Sequence, residues 1–436
     1  MPPDRIRRAT AWLARVGSAG PGIGPRTPRP LPVPPPRTPE LPESAEPEVL
    51  DVLDSVAADP TERLPDGLAK LMVQRVQDVE GNPAYLLTGA SGGADGPPYT
   101  GRDPQLPPLR ISLGRIRPDG AYPSQFYRAV GEWSRLQRPL VRWLNGLRDR
   151  HGDDLHLVVW DDTDYEIPWE MLWLGRGDAG EPSPGLLGAL VPVARWTTIR
   201  ELHRSLLDGP AHCEGRVVGY FDGRMRQDAD VVRPFAHEQH TDVDRFLGCL
   251  DGTDRDLGLV YMGCHGTYGR DIDDLTAGLL TWYELNEPAM GALRGATAGT
   301  LVCLNVCHSG RLVDNKDGGE DALRGFSELF LRKGAKACIA TRGEVGETEA
   351  RALLGHLVEH ARRSPDRPLA HMLRDFRARA AAELPTPVPR TKGADGVVDR
   401  DGQRQVLRVL YQFMYVYYGH PLTTLRLVPS GPDGAR

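Results

Sequence analysis

Two stretches of this chain are apolar at nearly every position rather than at alternate ones, and that restricts what they can form. They read LGLVYMGCHGTYG from Leu257 to Gly269 and TLVCLNVCHSG from Thr300 to Gly310. A strand with water on one face alternates polar and apolar side chains, whereas a strand buried on both faces has no need to. Each run then breaks into glycine-bearing turn sequence. Both read as central strands of a sheet covered on two sides. In an open α/β sheet, ligands bind beyond the carboxyl ends of the strands. Each run delivers one reactive side chain there, His265 and Cys307. A thiol attacks as thiolate, and a neighbouring imidazole lowers the cost of forming it. Cys303 shares the face of Cys307 but lies inside the buried run, so it reads as packing. Cys264 and His308 are adjacent to the candidate pair in sequence and point the other way.

The rest of the chain alternates strand and helix. Ala84–Thr88, Leu109–Ile116, Leu155–Trp160, Arg216–Gly223 and Lys336–Thr341 read as strands. Helical spacing is expected over Pro123–Arg150, His237–Leu250, Tyr283–Leu293, Asp321–Arg332 and Glu347–Arg363. Such alternation implies an α/β fold with a mainly parallel sheet and helices on both faces. A length of 436 residues suits about two domains. No apolar run approaches the roughly 18 residues of a membrane span, and the first residues lack the apolar core of a secretory signal. Six cysteines without a paired CxxC pattern fit reduced thiols, so a cytoplasmic location is expected. A net charge of -6 gives no overall attraction to nucleic acid or anionic membrane.

The first 66 residues differ in character. Between Pro21 and Pro47 lie 11 of the 39 prolines, which implies an extended tether or a ligand for a proline-reading partner. Before it, Asp4–Val16 places Ile6, Leu13 and Val16 on one helical face, a pattern for docking on a partner or membrane surface, or for an ordinary frayed terminus.

Motifs in order along the chain carry a family resemblance. HisGlyThr at His265–Thr267 and CysHisSerGly at Cys307–Gly310 follow the buried strands. They are accompanied by IPWEML at Ile167–Leu172, LRKGAKACIATRGEV at Leu331–Val345 and YVYYGHPLTTLRL at Tyr415–Leu427. Over roughly its last two-thirds the chain resembles CHAT-domain proteins, caspase-like cysteine peptidases related to metacaspases and separase. The resemblance implies a caspase-like three-layer sandwich over residues 211–430, preceded by a degenerate caspase-like module over 67–210 and the tail over 1–66. It implies a cysteine endopeptidase with a His265/Cys307 dyad and an oxyanion held by the backbone N–H groups of Gly266 and Cys307. It also implies a regulated enzyme, a zymogen, that cuts a protein partner in bacterial defence or cell death and has an activating protein partner. A catalytically silent caspase-like scaffold is the alternative.

Metacaspase-like enzymes that cut after Arg or Lys carry Asp two residues before the nucleophile; here Asn305 stands there, and a neutral amide supplies no ion pair. Asp222, Arg342 and Glu344 are further candidates for the substrate pocket. The loop acids Asp271, Asp273 and Asp274 lack the glycine and distal Glu of a calcium loop. Cys264, His265, Cys303, Cys307 and His308 match no common zinc spacing. No metal and no cofactor are expected.

Overall fold

The computed structural model describes residues 64–93, 98–106, 116, 123–175, 183–199, 212–252, 256–269, 271–294, 298–314, 323–390 and 398–431. The segments 4–16 and 21–47 lie outside these residues, as does the expected strand Leu109–Ile116 apart from Ile116.

One sheet of 12 strands organises the molecule. Its strands are β1 Leu68–Gln77, β2 Pro83–Ser91, β3 Tyr99–Thr100, β4 His156–Asp161, β5 Val193–Trp196 and β6 His212–Phe221. They continue with β7 His237–His240, β8 Leu257–Cys264, β9 Leu301–Val306, β10 Ala337–Thr341, β11 Tyr415–Gly419 and β12 Thr424–Leu427. Their order is β12-β6-β8-β9-β10-β11-β5-β4-β1-β2-β3, with β7 also pairing with β6. From β6 to β10 every pair is parallel, as are β11 with β5, β5 with β4, and β4 with β1. The antiparallel pair β10/β11 joins these two parallel blocks. Strands from residues 64–199 therefore extend the sheet that carries His265 and Cys307.

The long helices are α1 Pro123–Leu136, α2 Arg138–His151, α3 Val243–Asp251, α4 Phe326–Lys333, α5 Glu347–Arg363, α6 Leu369–Ala382 and α7 Arg400–Phe413. They cover both faces. Under one face, Val217, Leu259, Tyr261, Leu301, Cys303 and Ile339 pack with Leu353, Leu357 and Leu373 of α5 and α6. Under the other, Val218, Val260, Met262, Val302, Leu304 and Cys338 pack with Phe246 and Phe330 of α3 and α4. Every residue of β8 and β9 is buried, which is why their sequences show no alternation.

Several expectations change in detail. His237–Leu250 is not one helix: residues 237–240 form β7, and α3 starts at Val243, capped by the Asp242 side chain. The apolar spacing of the segment begins only at Val243, so nothing upstream had a helical face to bury. Pro123–Arg150 divides at Gln137 into α1 and α2. The Tyr283–Leu293 helix is a short turn of helix at Trp282–Asn286 followed by a 3₁₀ turn at Gly291–Arg294. Residues 315–322 lie outside the described part, Leu323–Arg324 pairs with Val313–Asp314, and α4 begins at Phe326.

Candidate active site

Strand register brings the two candidate residues together. β8 and β9 pair in parallel, with Gly263 opposite Asn305 and Cys264 opposite Val306. The register ends there, and His265 and Cys307 are the residues that follow on the two neighbouring strands as both leave the sheet. Gly266 then turns tightly against the neighbouring segment. A Cβ built on Gly266 would lie 2.4 Å from the Cys307 carbonyl oxygen and 2.6 Å from Val306 Cγ1, so any other residue would drive the two chains apart. The Gly278 N–H donates to the His265 carbonyl at 2.6 Å and fixes the turn from the other side.

His265 is exposed and Cys307 is half-buried. Burial pushes the Cys307 thiol above its ordinary range; the Glu344 carboxylate adds to that shift and the Val345 backbone N–H opposes it. The Glu344 segment runs along the turn after β9, where the His308 N–H donates to the Gly343 carbonyl at 3.1 Å and the Gly310 N–H to the Thr341 carbonyl at 2.7 Å. His308 takes a left-handed backbone conformation (φ 64°), and its buried ring faces Tyr268. Cys264 is buried on the opposite face from Cys303, and its thiol is pushed well above the ordinary thiol range by burial first, then by Asp222 and Cys307.

The remaining pocket candidates occupy three places. Asp222 is half-buried at the end of β6, where its N–H donates to the Gly263 carbonyl at 2.9 Å. Asn305 is buried, and its Nδ2 donates to the Tyr261 hydroxyl at 2.8 Å and the Ala350 carbonyl at 2.9 Å, while its Oδ1 accepts from the Tyr415 hydroxyl at 2.7 Å. Both ends of its amide are engaged inside the protein. The Tyr261 hydroxyl donates to Asp228 Oδ2 at 2.7 Å, and Arg351 Nε donates to Asp228 Oδ1 at 3.0 Å. Arg342 is buried in a cleft lined also by Asp161, Asp164, Arg195, Gly310 and Tyr418.

Sequence reasoning missed this cleft's other half. Arg195 is buried and donates through Nε and Nη2 to Glu170 at 2.8 and 2.5 Å, and to the Ile167 carbonyl at 3.1 Å. Arg311, directly after the Cys307 turn, pairs with Glu166 and lies over the Tyr268 ring at 3.3 Å from its centroid. The signal for the Arg195 contact was IPWEML itself, whose Glu170 is an acid inside an apolar segment and therefore needs a buried cation.

Residues 227–386 match the family model of the CHAT domain, a span that includes His265, Asn305, Cys307, Arg342 and Glu344 and begins after Asp222. No curated protein matches the chain. Among solved structures, it is similar to the separase of the Saccharomyces cerevisiae separase-securin complex, with 13% identity and a TM-score of 0.35, over 61% of this chain and 16% of that one. It is also similar to the complex of Porphyromonas gingivalis RgpB pro- and mature domains, with 11% identity and a TM-score of 0.38, over 67% of this chain and 71% of that one. The chain thus spans about a sixth of the separase chain it matches. The family match thus makes residues 227–386 of this chain similar to the CHAT domain.

Proposed function

We propose that this protein is a caspase-like cysteine endopeptidase in which residues 211–430 carry the chemistry and residues 67–210 support it. The observation that carries the reading is the shared exit of β8 and β9, where His265 and Cys307 each follow the last paired residue of neighbouring strands and Gly266 closes on the Cys307 backbone. Cys307 Sγ, as thiolate, attacks a peptide carbonyl carbon, and the carbonyl π electrons move to oxygen. The N–H groups of Gly266 and Cys307 hold that oxyanion. His265, holding the proton taken from the Cys307 thiol, gives it to the departing amine as the C–N bond breaks; it then takes a proton from the water that attacks the acyl carbon, and the C–S bond breaks to restore the thiolate.

The conformation described is a resting one in this reading. A reactive cysteine has a lowered pKa, whereas burial and Glu344 raise that of Cys307. A protein partner that draws Glu344 and its segment away would favour the thiolate, which makes the chain a regulated zymogen acting on a protein substrate. Its setting is cytoplasmic, in a bacterial defence or cell-death response. Among the described residues, no helix is long and apolar enough to cross a membrane. In this reading Asp222, Asn305, Arg342 and Glu344 are the candidates for the substrate pocket.

The test is digestion of a diverse peptide mixture by the wild type and by Cys307→Ala, each alone and with candidate partner proteins, reading new termini by mass spectrometry. Cuts made only by the wild type are expected. Identical digests under every condition would leave a partner-binding scaffold in place of an enzyme.

A further inference from the structure

Glu238 and His240 stand two residues apart on β7, so they project from the same face of the strand. Their neighbours turn elsewhere: Gln239 donates to the Ala229 carbonyl at 3.3 Å and His237 Nδ1 to the Phe235 carbonyl at 2.7 Å. The chain then reverses through the Asp242 cap into α3, whose last turn carries the buried Cys249 back onto β7. Cys249 Sγ lies 3.3 Å from Glu238 Oε1 and 3.4 Å from His240 Nε2, and those two atoms are 3.1 Å apart.

A thiol, an imidazole and a carboxylate can form a proton relay or a metal site. A relay passes through the ring, one nitrogen facing the nucleophile and the other the carboxylate. Here the sulfur and the carboxylate both face the same nitrogen, Nε2, so three donor atoms converge on one point. Zinc bonds to sulfur, nitrogen and oxygen at about 2.3, 2.0–2.1 and 2.0–2.2 Å, which puts tetrahedral donors about 3.4–3.6 Å apart. The triangle in this structure is within a few tenths of an ångström of that. Thiolate and imidazole donors favour zinc-like metals over magnesium or calcium. With the Glu238 side chain 35% exposed and that of His240 11%, the fourth position opens towards solvent.

We propose that Glu238, His240 and Cys249 form a three-ligand site for one zinc ion, tying the edge strand β7 to α3. Binding forms the Cys249 S–Zn bond and releases the thiol proton to solvent, so the thiolate and carboxylate balance the charge of the cation. The site is separate from Cys307: β6 lies between β7 and β8, the strand that precedes His265.

Cobalt(II) titration of the full-length, chelator-treated protein tests this directly, because a thiolate–cobalt bond gives a charge-transfer band in the near ultraviolet. One equivalent of cobalt is expected to bind with that band and to be displaced by zinc. Cys249→Ser should abolish the band, and His240→Ala should weaken cobalt binding more than about 100-fold, beyond the loss of an outer-shell partner. Cys307→Ser, in the other site, should leave the titration unchanged. Far-ultraviolet circular dichroism of each variant checks that it folds, with Glu238→Gln as the substitute if one does not; weakened binding is expected there too. Absence of the band in the wild type, or its survival in Cys249→Ser, would overturn the assignment.

Discussion

Asn305 shows how one side chain can decide between two readings of a pocket. Its Nδ2 donates to Tyr261 and to the Ala350 carbonyl, and its Oδ1 accepts from Tyr415. Asn305→Asp would restore the acid found in enzymes that cut after basic residues. It would also set a carboxylate oxygen against the Ala350 carbonyl, two acceptors with no hydrogen between them. We expect this variant to lose roughly 1–3 kcal/mol of stability, the cost of an unsatisfied buried group, and to gain no preference for Arg or Lys. Urea denaturation and the peptide digest read the two effects; an equally stable variant that newly cuts after Arg would sink the argument. The two buried strands that lead to His265 and Cys307 were legible in the sequence, because their runs are uniformly apolar. The network beneath them was not. Asp228, Tyr261 and Tyr415 meet Asn305 from distant parts of the chain, and no local spacing encodes such contacts.

At the scale of elements, the segment IPWEML works as a clamp. Trp169 Nε1 donates to Asp161 Oδ2 at 3.0 Å on β4, Glu170 holds Arg195 on β5, and the Ile167 carbonyl accepts from Arg195. Burial opposes ionisation of Glu170, but the charge and hydrogen bonds of Arg195 outweigh it and hold the carboxyl down at about 2. Glu170→Gln keeps the shape and removes the charge, leaving Arg195 and the nearby Arg377 buried without their main counter-ion. A loss of about 3–5 kcal/mol is expected from breaking a buried pair, measured by urea denaturation; a loss below about 1 kcal/mol would show that Asp161 replaces it. Elements were readable where one period dominated, as in α5, whose bounds Glu347–Arg363 agree with its apolar stripe. They were missed where polar residues interrupt the pattern. β1, with Lys70 buried in it and Arg75 paired to Asp164 and Asp314, carries no clean alternation. The β7 residues HEQH have no apolar side chain at all.

Across the whole molecule, segments remote in sequence hold the sheet together. β11 lies beyond the residues that match the CHAT family, yet it joins β10 to β5. Near this junction three histidines gather: His156 at the start of β4, His371 on α6 and His420 just after β11. His156 Nδ1 donates to the Asp154 carbonyl at 2.9 Å, so its Nε2 is the acceptor for His371 Nε2–H at 3.0 Å. Protonating His156 would turn two N–H groups against each other. Burial lowers all three, with His156 adding to the shift of the other two, and His371 and His420 are pushed down to about 4. The unfolded chain takes up these protons at about 6.5. The folded protein therefore binds fewer protons than the unfolded one between about pH 6.5 and about 4, and its stability falls as pH drops through that window. Glu170, held at about 2, contributes its own loss only below about pH 4.5, so the histidines act first. The urea midpoint should be level above about pH 7 and decline towards about pH 4. His371→Gln, which keeps an N–H donor for His156 but cannot be protonated, should flatten that decline. A wild-type midpoint that stays level down to about pH 4.5, or a variant with the full wild-type slope, would show that the histidine cluster does not set the acid stability of the fold.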